Sequence, residues 1–395
     1  MKRLAAVLLA LICLALSGCG SWMDGHYVSE TPHMERSDDD GQDLEWISNK
    51  EQLYDAICSM VNYGTSSDVF FMRDYTQKSV EDDMLRVVYQ IMYTDPIGAY
   101  AVENIEYELG VNGGQSTLAV NVEYNHQRAE ILRIKKVRDM DAAKSAVVTA
   151  LNQMSTKLVL YVNDYEAVDF AQIVEDYALK KPEMVIEVPQ VSITVYPEKG
   201  NDRVVEMNFI YQTNRDSLRN MQSQIKRMFE SAELYVSSDE STYEKLSHLY
   251  VFLMERNNYQ IGTSITPAYS LLRYGVGNAK SFAVVFAAMC QRIGVECQVV
   301  SGTRDGESWF WNIVKEDDAY CHVDLLRCAQ NGEFRERSDA QMEGYVWDYS
   351  AYPPCDREVP AEPIPEETTQ WTEETEPEST EAETTEPTEM TEQGG

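Results

Sequence analysis

An α+β fold follows from three features of the sequence. Stretches with helical apolar spacing alternate with short runs of β-branched and aromatic residues. A block of α-β-α-β-β pattern occurs twice, and the C-terminal part places helices first and strands after them. The expected architecture is thus a duplicated α-β-α-β-β region followed by a further α+β domain. At 395 residues the chain exceeds one ordinary domain, and its 44% hydrophobic content suffices for more than one core.

The elements can be justified from the N-terminus. Met1, Lys2 and Arg3 form a basic start, and residues 4–16 are almost wholly apolar. That run is short for a membrane span and fits a signal peptide over residues 1–18. It ends in Leu16-Ser17-Gly18-Cys19, which is similar to a bacterial lipobox. The similarity implies acylation of Cys19 and a lipid anchor on the extracytoplasmic face of a bacterial membrane. Polar residues 19–43 read as a tether. Residues 44–138 and 139–236 are the two copies. "LYDAICSMVNYGTSSDVFFMRDY" (53–75) resembles "AKSAVVTALNQMSTKLVLYVNDY" (143–165), and "VNVEYNHQRAEIL" (120–132) resembles "MNFIYQTNRDSL" (207–218). No His/Cys/Ser cluster recurs in both copies, so the duplication suggests a scaffold or a binding region. Asp74-Tyr75 and Asp164-Tyr165 read as strand-end turns.

Residues 237–355 form the last domain. Ser241 and Glu244 have capping-box spacing, and Leu246, Leu249, Tyr250, Leu253 and Met254 follow on one helical face. A short helix carries "AYSLLRYG". A third helix starts after Gly275 and Gly277, with Phe282, Val285, Phe286, Met289 and Ile293 as its buried stripe. "VECQVVSG", "SWFWNIVKE" and "AYCHVDLLR" then read as an antiparallel meander. Residues 356–395 are a Glu/Thr/Pro-rich tail of a composition that buries no core and is expected to be disordered.

Several of these pieces, in this order, carry a resemblance. "YSLLRYGVGNAKSFAVVFAAMCQRIGVECQVVSG", "WFWNIV", "HVDLL" and "RSDAQMEGYVWDYSAYPPC" resemble the transglutaminase-like domain, a papain-type Cys-His-Asp fold of many secreted bacterial proteins. The resemblance implies a nucleophilic cysteine at a helix N-terminus, a histidine base on a strand and an aspartate that orients it. This chain departs from that pattern. Ala279 stands at the cysteine position and Trp309 at the histidine position; only Asp324 is kept. Alanine has no lone pair to attack a carbonyl, and an indole is a donor only. The expectation is a non-catalytic domain that binds or scaffolds at the cell envelope.

Two alternatives stay open. One is an active acyl hydrolase or transferase with relocated residues, for which Ser281 and His322 are the candidates. His322 and Asp324 would share a strand face and could form a dyad. The other is a solute-binding lipoprotein using the duplicated region. The aromatic trio Trp309, Phe310 and Trp311 is a candidate contact surface for a peptide or a cell-wall peptide.

Composition excludes other classes. Lys+Arg 33 against Asp+Glu 66 gives a net charge of −33, which repels nucleic acid. Lys280-Ser281 lacks the glycines of a phosphate loop at 274 and 279, so no nucleotide or other cofactor is implied. Cys58, Cys290, Cys297, Cys321, Cys328 and Cys355 leave one or two disulfides open without specifying a pairing, and their spacing is not that of a metal site.

Overall fold

The computed structural model describes residues 46–359, apart from 263 and 358. The expected signal peptide, Cys19, the tether and nearly all of the tail lie outside the described residues. Two compact units are present. One holds the described residues up to Val61, Thr65–Val88 and Glu103–Glu123; the other holds Asn62–Gly64, Tyr89–Val102 and the described residues from Tyr124 onward.

The chain opens with α1 (Lys50–Tyr63), β1 (Ser67–Phe71), α2 (Gln77–Tyr93), α3 (Pro96–Ala101), β2 (Val102–Asn112) and β3 (Gln115–Tyr124). It continues with α4 (Arg128–Ile131), β4 (Lys135–Val137), α5 (Met140–Asn152), β5 (Lys157–Val162), α6 (Phe170–Lys180), β6 (Gln190–Tyr196), β7 (Arg203–Ile210) and α7 (Arg215–Glu233). The sheet of the first unit has the order β1-β3-β2, and Leu118 and Val120 on its central strand are fully buried. The second unit begins with a sheet of order β4-β5-β7-β6. In both sheets a helix-linked pair of strands is followed by a strand that inserts between them. Asp74 (φ 56°) and Asp164 (φ 47°) occupy matching strand ends in the left-handed region, which short polar Asp tolerates and β-branched residues do not. Their tyrosines are structural: Tyr75 donates its hydroxyl to Asp83 at 2.6 Å, and the Arg203 guanidinium lies over the Tyr165 ring.

The remainder of the second unit contains α8 (Thr242–Met254), β8 (Asn258–Tyr259), α9 (Pro267–Tyr274), β9 (Val276–Gly277), α10 (Ala279–Arg292), β10 (Cys297–Arg304), β11 (Glu307–Glu316), β12 (Ala319–Val323), α11 (Leu325–Asn331) and β13 (Tyr345–Trp347). Ser241 and Glu244 cap α8 reciprocally, so two helix-end donors are satisfied. Strands β10 to β13 form one sheet of order β12-β11-β10-β13. Asp305 and Gly306, both at positive φ, make the tight β10–β11 turn.

Two expectations need correcting here. Helix α10 is buried all round rather than along one stripe: Ala279 and every residue from Ser281 to Cys290 are buried. It is the central rod of the domain, packed by α7, α8 and α9 as well as by β10 and β11. The third strand stops at Val323, and "DLLR" is not part of it. Asp324 turns the chain and caps α11, its Oδ1 accepting from the Leu326 and Arg327 amides at 3.0 and 3.2 Å. All six described cysteines are thiols, so none of the pairings that the sequence left open is formed among them.

Candidate functional site

The site is built on the N-terminus of α10 and on one face of β11. Gly277 leads into the helix, and a Cβ there would stand 2.9 Å from both Leu271 Cδ1 and Ser281 Cβ. Asn278 caps the helix. Its Oδ1 accepts from the Ser281 amide at 3.0 Å and the Ser281 hydroxyl at 2.9 Å. Ala279 is the first helical residue and is buried. A methyl group thus occupies the one place where a helix dipole would activate a nucleophile.

Ala279 and Trp309 pack into the same apolar cluster. The Trp309 indole Nε1–H donates to Asp324 Oδ2 at 2.8 Å. Trp309 therefore provides the N–H that an imidazole would have offered the aspartate, but no lone pair to take a proton. Its ring is also flanked on two sides. The Arg304 guanidinium sits 5.3 Å from its centroid, and the Tyr259 ring packs at 5.8 Å. Asp324 is 2% exposed and heavily committed. Besides Trp309 it accepts from the Tyr345 hydroxyl at 2.7 Å and the two α11 amides, and Arg304 Nη1 lies 3.6 Å away. Burial, and then the Asp324 charge, push the Tyr345 phenol far above its ordinary pKa, so it stays a donor. With these partners, Asp324 is a buried capping and cross-linking carboxylate.

The relocated candidates do not assemble a catalytic group. Ser281 is 3% exposed, and its hydroxyl is committed to Asn278. His322 is fully buried, and both ring nitrogens are used. Trp311 Nε1–H donates to Nδ1 at 2.9 Å, and Nε2 lies 2.8 Å from Asp339 Oδ1. Because Nδ1 accepts, the neutral ring carries its proton on Nε2 and donates it to Asp339. Burial lowers the His322 pKa, with the Asp339 carboxylate opposing. The expected His322–Asp324 dyad is absent because the strand alternation ends at Val323. The aromatic trio is divided too. Trp309 and Phe310 are partly buried, but Trp311 is 1% exposed and packs against Tyr345 and Trp347 in the core. It is not a surface contact, because the Tyr345 and Trp347 side chains pack over its ring.

Sequence reasoning missed Arg304, Tyr345 and Asp339. No local pattern ties them to Asp324 or His322, since each arrives from a different turn or strand. It also missed a convergence of His322, Asp339 and Cys355, whose ligand atoms lie within 4.8 Å of one another. This geometry does not suit a metal. The tautomer set by Trp311 leaves a proton where a ligand lone pair would be needed, and burial raises the Cys355 thiol pKa far above its usual value. The same occupancy denies Cys355 a base, so the trio is no nucleophile–base–acid relay. Its visible work is structural: Asp339 donates its amide to the Cys355 carbonyl at 2.7 Å and accepts the Cys355 amide through Oδ2 at 3.1 Å.

A family model agrees with the resemblance read from the C-terminal sequence. The family model described as the Transglutaminase-like superfamily matches residues 231–347, a transglutaminase-like domain within an α+β chain. No curated protein matches the chain. Matching solved structures include a protein described as a TGase, at 11% identity and a TM-score of 0.26, with 46% of this chain and 54% of that one covered. A candidate cysteine protease from Cytophaga hutchinsonii matches at 12% identity and a TM-score of 0.23, covering 40% and 70%. A candidate protease from Parabacteroides distasonis matches at 9% identity and a TM-score of 0.21, covering 57% and 38%. The chain thus spans about half of the first of these structures. Among the described residues no helix is long and apolar enough to cross a membrane.

Proposed function

We propose that the transglutaminase-like domain is a non-catalytic binding or scaffolding module, held at a bacterial cell envelope by acylation of Cys19. The observation that carries this reading is the Trp309 Nε1–H bond to Asp324 at 2.8 Å. It uses the aspartate's orienting capacity on a side chain that is no base. Loss of one member of such a triad lowers rates by roughly 10⁴–10⁶, and here the nucleophile and the base are both replaced. Retained packing around α10 with absent chemistry favours binding, and a peptide or a cell-wall peptide is the proposed ligand class. An acyl transferase with relocated residues is not favoured, because Ser281 and His322 are both buried and fully bonded.

Two measurements test the proposal. The mature protein, exposed to thiol- and serine-reactive acyl probes, is expected to show no stoichiometric labelling. Labelling that disappears in Ser281→Ala or Cys290→Ala would sink the non-catalytic reading. The double variant Ala279→Cys/Trp309→His is expected to gain thiol labelling. Incorporation of an alkynyl fatty acid in bacterial cells, abolished by Cys19→Ala, tests the anchor; unchanged incorporation would overturn that part.

A further inference from the structure

The β10 edge carries a feature that the degenerate site does not explain. Strand β13 covers only the end of β10, pairing Gly302, Thr303 and Arg304 with Trp347, Val346 and Tyr345. Beyond Trp347 the chain leaves the edge in a turn held by Asp348, whose Oδ1 accepts from the Ser350 amide at 2.9 Å. Strand β10, however, continues back to Cys297. The Ser301 amide, on the side away from β11, is met by the Tyr352 hydroxyl at 3.2 Å. Backbone groups alternate along a strand, so those of Val299 and Cys297 point the same way. Beside them lies a cavity of about 890 Å³, lined by residues 294–299 and also by Tyr352. Among the described residues no strand pairs with this stretch on the side away from β11, and an uncovered edge next to a groove is a template for an added strand.

Charge indicates the occupant. Asp176 and Glu296 both line the groove and are exposed. Among the described residues their partners are neutral: Gln172 Nε2 at 2.8 Å and the Tyr320 hydroxyl at 3.1 Å. Lys180 is the one cation along this lining. The chain as a whole carries −33, and residues 360–395 are rich in glutamate with no basic residue. The chain's own tail is therefore repelled, and a second copy is disfavoured in the same way. We propose that an extended, lysine- or arginine-bearing peptide pairs as a strand with Cys297–Val299 on the open edge of β10, placing a basic side chain between Asp176 and Glu296. This goes beyond the reading of the degenerate site and does not depend on it.

The test is fluorescence anisotropy of the full chain with a dye-labelled alternating Lys-Val peptide. Saturable binding is expected. An alternating Glu-Val peptide, and the Lys-Val peptide N-methylated on alternate amides, are expected not to bind. Val299→Pro removes one outward amide without touching the β11 ladder and should weaken binding about tenfold or more. Asp176→Asn/Glu296→Gln changes only exposed side chains, and it should do the same even if the proline variant misfolds. Equal binding of the N-methylated peptide, or no binding of Lys-Val at all, overturns the proposal. So does binding that appears only after residues 360–395 are removed, which would assign the edge to the tail. A dimer that Val299→Pro dissociates would assign the edge to a second copy and overturn the proposal equally.

Discussion

Trp309 and Trp311 stand two residues apart on one face of β11, and each donates its indole N–H to an ionisable partner. The outcomes differ. Trp309 meets a carboxylate that can only accept, so the bond anchors Asp324 and leaves no group able to exchange a proton. Trp311 meets an imidazole, so the bond selects a tautomer and passes a donor on to Asp339. Burial differs as well, since Trp311 is enclosed by Tyr345 and Trp347 while Trp309 is only partly buried. What a tryptophan does here is decided by the partner its N–H reaches and by how much of its ring is covered.

The largest expected effect is on the buried member of the pair. Trp311→Ala should destabilise the domain by about 3–5 kcal/mol in denaturant unfolding, and Trp309→Ala by clearly less; equal losses would break the contrast. Asp324→Asn comes next. It turns one acceptor into a donor facing Trp309 and Tyr345, and should cost about 2–3 kcal/mol. A change under about 0.5 kcal/mol would show that the carboxylate is dispensable.

The phenylalanine variants isolate the N–H. Trp311→Phe leaves His322 Nδ1 buried without a donor and should cost about 1–3 kcal/mol, whereas Trp309→Phe leaves Asp324 with Tyr345 and two amides and should cost about 1 kcal/mol. The smallest effect concerns pH. The folded-state pKa of His322 lies below its unfolded value of 6.5. The unfolded chain therefore binds the proton more readily, so the stability contributed by neutral His322 is intact above pH 6.5 and is lost as pH falls toward the folded value. The melting temperature should drop over that range in the wild type and less steeply in His322→Gln. An unchanged slope would remove His322 as its source.

Much of the fold was legible because its signals are local. The Ser241–Glu244 cap, the Asp305-Gly306 turn, the two Asp-Tyr turns and the apolar spacing of α8 are each written within a few residues. The site was legible in part. The positions of Ala279, Trp309 and Asp324 could be read from their order, but not what Asp324 binds. Its partners Arg304 and Tyr345 come from a hairpin and an edge strand that periodicity cannot bring together. The strand assigned through Asp324 failed for a related reason: "HVDLL" has strand composition, yet the carboxylate finds two free helix amides and ends the strand.

The sequence by itself determined which chemistry is absent, because no fold can give alanine a lone pair or make an indole a base. It also determined the elements whose signals lie within one turn of chain. Tertiary structure alone decided that Trp311 is core, that both nitrogens of His322 are occupied, and that among the described residues β10 keeps an open edge beyond β13. These depend on which groups meet across the sheet, and a buried polar group takes whatever partner the packing brings within bonding distance.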